Sequence, residues 1–129
     1  MENPHGHLLV VEDDPEMRDL LKKVLEKAGH QVAAAGNGLE ALALLPQQSF
    51  DLVVTDMRMP LGGGLSLLEA IPTASPGTPV IIVTAFGDRD SRIRAIQLGA
   101  AAFISKPLRM AELTAAVQAA LTGRGAAAA

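Results

Sequence analysis

The sequence predicts an α/β fold in which five β-strands and five α-helices alternate along a single domain. Two observations favour this fold: short apolar runs recur along the 129 residues, and a segment with helical spacing of apolar residues follows each of them. A chain of this length has room for one hydrophobic core. Strands and helices that alternate at this spacing need crossover connections, which place helices on both faces of a parallel sheet. The predicted architecture is therefore a doubly wound sheet.

Each element is defined by apolar periodicity and by the residues that interrupt it. The five predicted strands cover residues 7–11, 31–35, 52–55, 79–85 and 102–105. The five predicted helices cover residues 15–28, 39–45, 65–71, 90–98 and 110–121. Asp14 is the expected N-cap of the first helix because Pro15 follows it, and Gly29 is its expected end. His30 is then predicted to be a turn residue, and glycines 62–64 are predicted to form a flexible loop.

Composition and charge exclude several classes of protein. Apolar residues make up 49% of the chain and charged residues 19%, which is typical of a globular domain. The net charge is -3 and no Lys/Arg cluster occurs, so direct binding to nucleic acid is not expected. No apolar stretch reaches the roughly 18 residues of a membrane helix. The chain has no cysteine, and residues 1–7 lack a signal-peptide pattern, so we expect a cytoplasmic protein without disulfides or thiolate sites.

Chemically active side chains follow four of the predicted strands. Ligands of a doubly wound sheet lie beyond the carboxyl ends of its strands, where the strand order reverses; in the flavodoxin-like order 2-1-3-4-5 that point lies between strands 1 and 3. Glu12 and Asp13 follow strand 1 and Asp56 follows strand 3. Thr84 lies at the end of strand 4, and Lys106 follows strand 5. We therefore expect these five side chains on one edge of the sheet.

The three carboxylates predict a cation site. At a separation of ~5 Å and an effective dielectric near 20, each pair would repel by roughly 3 kcal/mol, which a cation would relieve. Oxygen ligands alone favour a hard divalent ion, so Mg²⁺ is the expected cofactor, with Mn²⁺ as an alternative. A divalent cation and Lys106 together would neutralise a phosphoryl group. Asp56 would then be the nucleophile that forms an aspartyl phosphate.

Several motifs resemble the receiver domain of bacterial two-component response regulators. They occur in the order and at the elements expected of that family, and together they extend over nearly the whole chain. The motifs are "VVEDDP" at 10–15, "VVTDMRMP" at 53–60, "GL" at 64–65, "VTA" at 83–85 and "FISKP" at 103–107.

The resemblance implies a role for each motif residue. Asp56 would accept a phosphoryl group from a sensor histidine kinase or phosphotransfer protein, and Glu12, Asp13 and Asp56 would hold Mg²⁺. The backbone carbonyl of Arg58 would complete the protein ligands. Thr84 would hydrogen-bond the phosphoryl group and Lys106 would pair with it. A cis peptide bond is expected between Lys106 and Pro107.

Switching is expected at Thr84 and at Phe103, which stands where many receivers carry tyrosine. Phosphorylation would repack the face formed by helix 4, strand 5 and helix 5. That face would contact an output domain, a downstream protein or a second copy of the chain. Such a domain would catalyse only its own phosphorylation and dephosphorylation, so it is not expected to be an enzyme.

Two other kinds of function are compatible with parts of the sequence. A Mg²⁺-dependent phosphatase or phosphotransferase also uses a nucleophilic aspartate, but Arg58 stands where a second acid/base carboxylate would be needed. A pseudo-receiver or a flavin-binding module would keep the topology without phosphate chemistry.

We assign residues 1–122 to the receiver domain and residues 123–129, which are rich in Gly and Ala, to a linker or terminal tail.

Overall fold

The structure is a five-stranded parallel sheet with helices on both faces. It is a computed structural model that describes residues 5–57, 63–85 and 89–128, with side chains described as far as residue 122. The strands lie in the order β2-β1-β3-β4-β5, and every neighbouring pair is parallel. The predicted flavodoxin-like doubly wound fold and strand order are confirmed.

The elements alternate as the sequence predicts. The strands are β1 (His7–Val11), β2 (Gln31–Ala35), β3 (Leu52–Asp56), β4 (Val80–Thr84) and β5 (Ala102–Ser105). The helices are α1 (Pro15–Lys27), α2 (Gly38–Leu44), α3 (Gly64–Ala74), α4 (Arg89–Gln97) and α5 (Met110–Ala128). The side chain of Asp14 accepts a hydrogen bond from the backbone N–H of Glu16, which confirms Asp14 as the N-cap of α1.

Two hydrophobic layers cover the sheet. One layer packs residues of α2, α3 and α4 against one face, and the other packs α1 and α5 against the opposite face. All five residues of β3 and all five of β4 are buried, as expected for central strands of a parallel sheet. Among the described residues, no helix has both the length and the apolar character needed to cross a bilayer.

Two helices are longer than the sequence predicts. We expected α3 to end before Pro72, which lacks a backbone N–H, but the helix includes Pro72 and ends at Ala74. The N–H of Ser75 bonds the Ile71 carbonyl at 2.7 Å, so the last turn closes beyond the proline. Helix α5 continues past the predicted end at residue 121 to Ala128. The assignment of residues 123–129 to a linker or tail stays a prediction.

His30 lies in the turn between α1 and β2, as the sequence predicts, and its side chain is buried there. The backbone N–H of Gly6 donates to its Nδ1 at 3.1 Å, and its Nε2 lies 3.5 Å from the side-chain nitrogen of Gln118 on α5. The ring of His5 meets it edge-on at a centroid distance of 6.0 Å. Burial, and secondarily the positive charge that His5 can carry, lower the pKa of His30.

We expect acid to destabilise the fold through His30. Because the pKa of His30 is lower in the folded state than its ordinary 6.5, the unfolded chain takes up the proton first as the pH falls. The free energy of unfolding therefore decreases as the pH falls from just above 6.5 through the lowered folded-state pKa of His30. The decrease is at most about 1.4 kcal/mol per pH unit. The measurement is urea unfolding at several pH values for the wild type and His30→Gln. Parallel curves for the two proteins would contradict the prediction.

Candidate functional site

The ends of four strands meet at the carboxyl edge of the sheet. In the register of β1 and β3, Val11 pairs with Thr55, so Glu12 and Asp56 come next on adjacent strands. Asp56 pairs with Val83 on β4, and Thr84 pairs with Ser105 on β5. This register brings the predicted site residues to one edge, at the point where the strand order reverses.

Glu12, Asp13 and Asp56 form an acidic cluster. One carboxylate oxygen from each residue lies within 4.8 Å of the others. Glu12 is 3% exposed and Asp56 is 8% exposed, whereas Asp13 is exposed to solvent. Charges this close repel by roughly 3 kcal/mol per pair at an effective dielectric near 20. The cluster therefore requires a compensating positive charge.

Lys106 supplies a positive charge to this cluster. Its Nζ donates hydrogen bonds to Asp56 Oδ2 at 2.8 Å and to Glu12 Oε1 at 3.1 Å. Burial alone would lower the pKa of Lys106, but the hydrogen bonds to Asp56 and Glu12 outweigh it and raise the pKa. The ammonium group is therefore firmly protonated and lies between two carboxylates.

Glu12 is held by its backbone neighbours as well as by Lys106. The N–H of Asp14 donates to Glu12 Oε2 at 3.2 Å, and the N–H of Glu12 donates to the Ala35 carbonyl at 3.0 Å. Burial is the largest influence on this carboxyl and raises its pKa; the Asp14 N–H and Lys106 oppose that rise, and the neighbouring Asp13 adds to it. Loss of the Lys106 charge would therefore favour a protonated Glu12.

Gly64 permits close packing behind Asp56, a feature that sequence reasoning missed. A Cβ on Gly64 would lie 2.9 Å from the Asp56 carbonyl oxygen and 2.8 Å from Ile82 Cδ1. Its N–H bonds the Met57 carbonyl at 2.9 Å. The sequence predicted flexibility for this glycine, whereas it begins α3 and lies against the backbone of the site.

The remaining predicted site residues are placed as follows. Thr84 is fully buried, and its carbonyl accepts a hydrogen bond from the backbone N–H of Lys106 at 2.9 Å. The Lys106–Pro107 peptide bond is cis, as the resemblance implies. Phe103 is half-buried against the layer formed by α2, α3 and α4. Arg58, whose carbonyl was predicted to bind the metal, lies outside the described residues.

The cluster fits a magnesium ion. Its donors are carboxylate oxygens from two strand ends, close enough to share one ion. Mg²⁺ prefers such oxygen ligands and keeps part of its hydration shell, which suits the exposed position of Asp13 at the open edge. The donor set contains no sulfur or imidazole that would favour a softer metal.

Comparison with known sequences identifies one family. The sequence model of the response regulator receiver domain matches residues 8–118. The response regulator protein PilR of Pseudomonas aeruginosa is 41% identical over 113 residues, which are 88% of this chain and 25% of PilR. The transcriptional regulatory protein FixJ of Bradyrhizobium diazoefficiens is 37% identical over 116 residues, which are 90% of this chain and 57% of FixJ.

Solved structures give the same result. A CheY-like response regulator receiver domain protein from Methanospirillum hungatei superposes with a TM-score of 0.89 at 29% identity, over 95% of this chain and 98% of that one. NtrX from Brucella abortus superposes with a TM-score of 0.87 at 30% identity, over 95% of this chain but 28% of NtrX. The chain thus spans between a quarter and three fifths of the length of PilR and FixJ. It belongs to the response regulator receiver domain family and is a receiver domain of two-component signalling.

Proposed function

We propose that Asp56 is the residue that accepts the phosphoryl group. The observation that carries this proposal is the position of its carboxylate, which lies 2.8 Å from Lys106 Nζ and within 4.8 Å of the Glu12 and Asp13 donor oxygens. A carboxylate beside fixed positive charge can attack an electron-poor phosphorus, because the charge on the phosphoryl oxygens is then stabilised.

The donor would be a phosphohistidine of a sensor histidine kinase or phosphotransfer protein. An oxygen of Asp56 forms a bond to phosphorus while the P–N bond to imidazole breaks. The leaving imidazole keeps the bonding electrons and takes a proton from solvent, so the reaction needs no further reactant. The product is an acyl phosphate on Asp56, whose phosphoryl oxygens carry up to about two negative charges in place of the single charge of the carboxylate.

Glu12, Asp13 and Asp56 are the residues that would hold Mg²⁺. Bound there, the ion would neutralise phosphoryl oxygens during transfer. Lys106 would contribute a second positive charge beside Asp56. The Arg58 carbonyl remains a proposed fourth protein ligand, and Mn²⁺ is an acceptable substitute for oxygen donors.

Thr84 and Phe103 are the proposed switch residues. Thr84 ends β4, where it pairs with Ser105 on β5, and its carbonyl accepts a hydrogen bond from the backbone N–H of Lys106. A movement of Lys106 toward a phosphoryl group would therefore displace residues of both β4 and β5. Phe103 lies on β5, where its half-buried ring can change burial. A phosphoryl group can shift such an equilibrium only by its differential stabilisation of the two states.

The output surface would be the face formed by α4, β5 and α5. Two large apolar side chains of α4 are exposed to solvent, Ile93 at 42% and Ile96 at 57%. Exposed apolar groups of this kind are suited to a partner surface. An output domain, a downstream protein or a second copy of the chain would bind this face in the cytoplasm. Turnover of other substrates is not part of the proposed function.

The test is a beryllofluoride titration followed by NMR. Beryllofluoride with Mg²⁺ mimics an acyl phosphate, so the amide resonances of residues 12–14, 56, 84 and 106 should shift in the wild type. An unchanged spectrum would overturn the proposal and would favour the pseudo-receiver. Incubation with phosphate esters distinguishes a receiver from a phosphatase, because a receiver does not turn these substrates over catalytically.

A further inference from the structure

Arg18 reaches from α1 to the backbone of the acidic cluster. Its Nη1 donates a hydrogen bond to the carbonyl oxygen of Glu12 at 2.9 Å, and the side chain is half-buried. A bond with a charged donor is shorter and stronger than one between neutral groups. Arg18 is thus fixed to the peptide group that joins two of the proposed metal ligands, Glu12 and Asp13.

The position of Arg18 is not explained by helix stability. Arg18 lies close to the N-terminus of α1, where the helix dipole favours acidic residues such as Glu16. Long helical side chains lean toward the N-terminus, which is how the guanidinium reaches the carbonyl of Glu12. An arginine that opposes the dipole therefore gains its stabilisation from this contact.

With Arg18 in place, every polar group of Glu12 has a partner. The N–H bonds Ala35, the carboxylate receives Asp14 N–H and Lys106, and the carbonyl receives Arg18. The peptide plane between Glu12 and Asp13 is then fixed. The direction of the exposed Asp13 side chain depends on that plane.

We infer that Arg18 is a positioning residue for the metal site, which keeps the Glu12 and Asp13 carboxylates directed toward Asp56. The inference rests on the proposed function, because it concerns the same magnesium ligands. Groups that orient metal ligands from behind typically change metal affinity by 10–100-fold when removed.

Two simpler roles predict different results. Arg18 Nη1 lies 3.2 Å from the position that a Cβ on Gly36 would take, so the guanidinium also packs against the turn between β2 and α2. Packing alone would change stability and leave magnesium affinity unchanged. A long-range charge effect has the opposite sign, because removing a positive charge near carboxylates would tighten Mg²⁺ binding.

The experiment is a Mg²⁺ titration of the 129-residue chain, with the wild type, Arg18→Met and Arg18→Lys. Arg94→Met serves as the matched control, because Arg94 is an exposed arginine that pairs with Glu69 on α3. We expect roughly 10-fold weaker binding for Arg18→Met, intermediate binding for Arg18→Lys, and wild-type binding for the control. Unfolding curves without metal report whether each variant is folded. If Arg18→Met does not fold, the comparison of Arg18→Lys with the wild type still tests the inference.

A metal-free measurement completes the test. If Arg18 fixes the peptide between Glu12 and Asp13, hydrogen exchange at the Asp14 amide, which donates to Glu12 Oε2 at 3.2 Å, should accelerate in both Arg18 variants without Mg²⁺. Equal or tighter Mg²⁺ binding in these variants would overturn the inference and leave the proposed function intact. A wild type that does not bind Mg²⁺ would overturn the proposed function, and the inference with it.

Discussion

Asp56→Asn is expected to abolish phosphorylation by small phosphodonors such as acetyl phosphate. The amide that replaces the carboxylate is uncharged and a poor nucleophile, so no acyl phosphate can form at the end of β3. It also removes one of the three carboxylates of the cluster, which weakens the cation site. Intact-mass spectrometry after incubation with Mg²⁺ and acetyl phosphate measures the phosphorylated fraction directly.

The matched control is Asp19→Asn, which removes a carboxylate from the exposed side of α1. This variant should be phosphorylated like the wild type. Residual phosphorylation of Asp56→Asn at the wild-type level would show that another residue accepts the phosphoryl group. If neither variant is phosphorylated, the loss reflects a general effect of charge, and a specific role for Asp56 is contradicted as well.

Lys106→Met is expected to destabilise the metal-free protein by about 2 kcal/mol. Removing one partner of a fully buried ion pair costs roughly 3–5 kcal/mol, and the smaller figure reflects the 21% exposure of the Lys106 side chain and the ability of Glu12 to take up a proton. Methionine retains the apolar stem of the side chain. Urea unfolding without divalent ions measures the loss.

Magnesium should reverse this loss, because an added cation replaces the missing ammonium beside Glu12 and Asp56. We also expect Lys106→Met to bind Mg²⁺ more tightly than the wild type, since the ammonium no longer competes for the same oxygens. Lys23→Met, on the exposed side of α1, should change neither quantity. Wild-type stability together with weaker Mg²⁺ binding in Lys106→Met would contradict this account.

Much of the fold was predictable because local signals and global topology agree. Apolar β-branched runs mark the buried strands, and Asp14 with Pro15 marks the start of α1. The acidic cluster was predictable for a related reason. Parallel strands end at one edge, so residues that follow strands 1 and 3 must be neighbours there, whatever their separation along the chain.

Features that depend on packing were not predictable. The burial of His30 arises from Gly6 and from α5, which lie far away in sequence. Gly64 gives the same sequence signal as a flexible loop, and only its distance to the Asp56 carbonyl separates the two cases. Arg18 resembles any other charged residue on an exposed helix until the path of its side chain is known.

The two hydrogen bonds of Lys106 make Glu12 and Asp56 dependent on a common counterion. A change of charge at either carboxylate alters the attraction between the ammonium and the other carboxylate, so the two side chains are energetically coupled. Substitutions at these three positions should therefore be non-additive, and only double-mutant cycles can apportion their energies. Addition of a phosphoryl group to Asp56 would be sensed on β1 as well as on β5, through redistribution of a single positive charge.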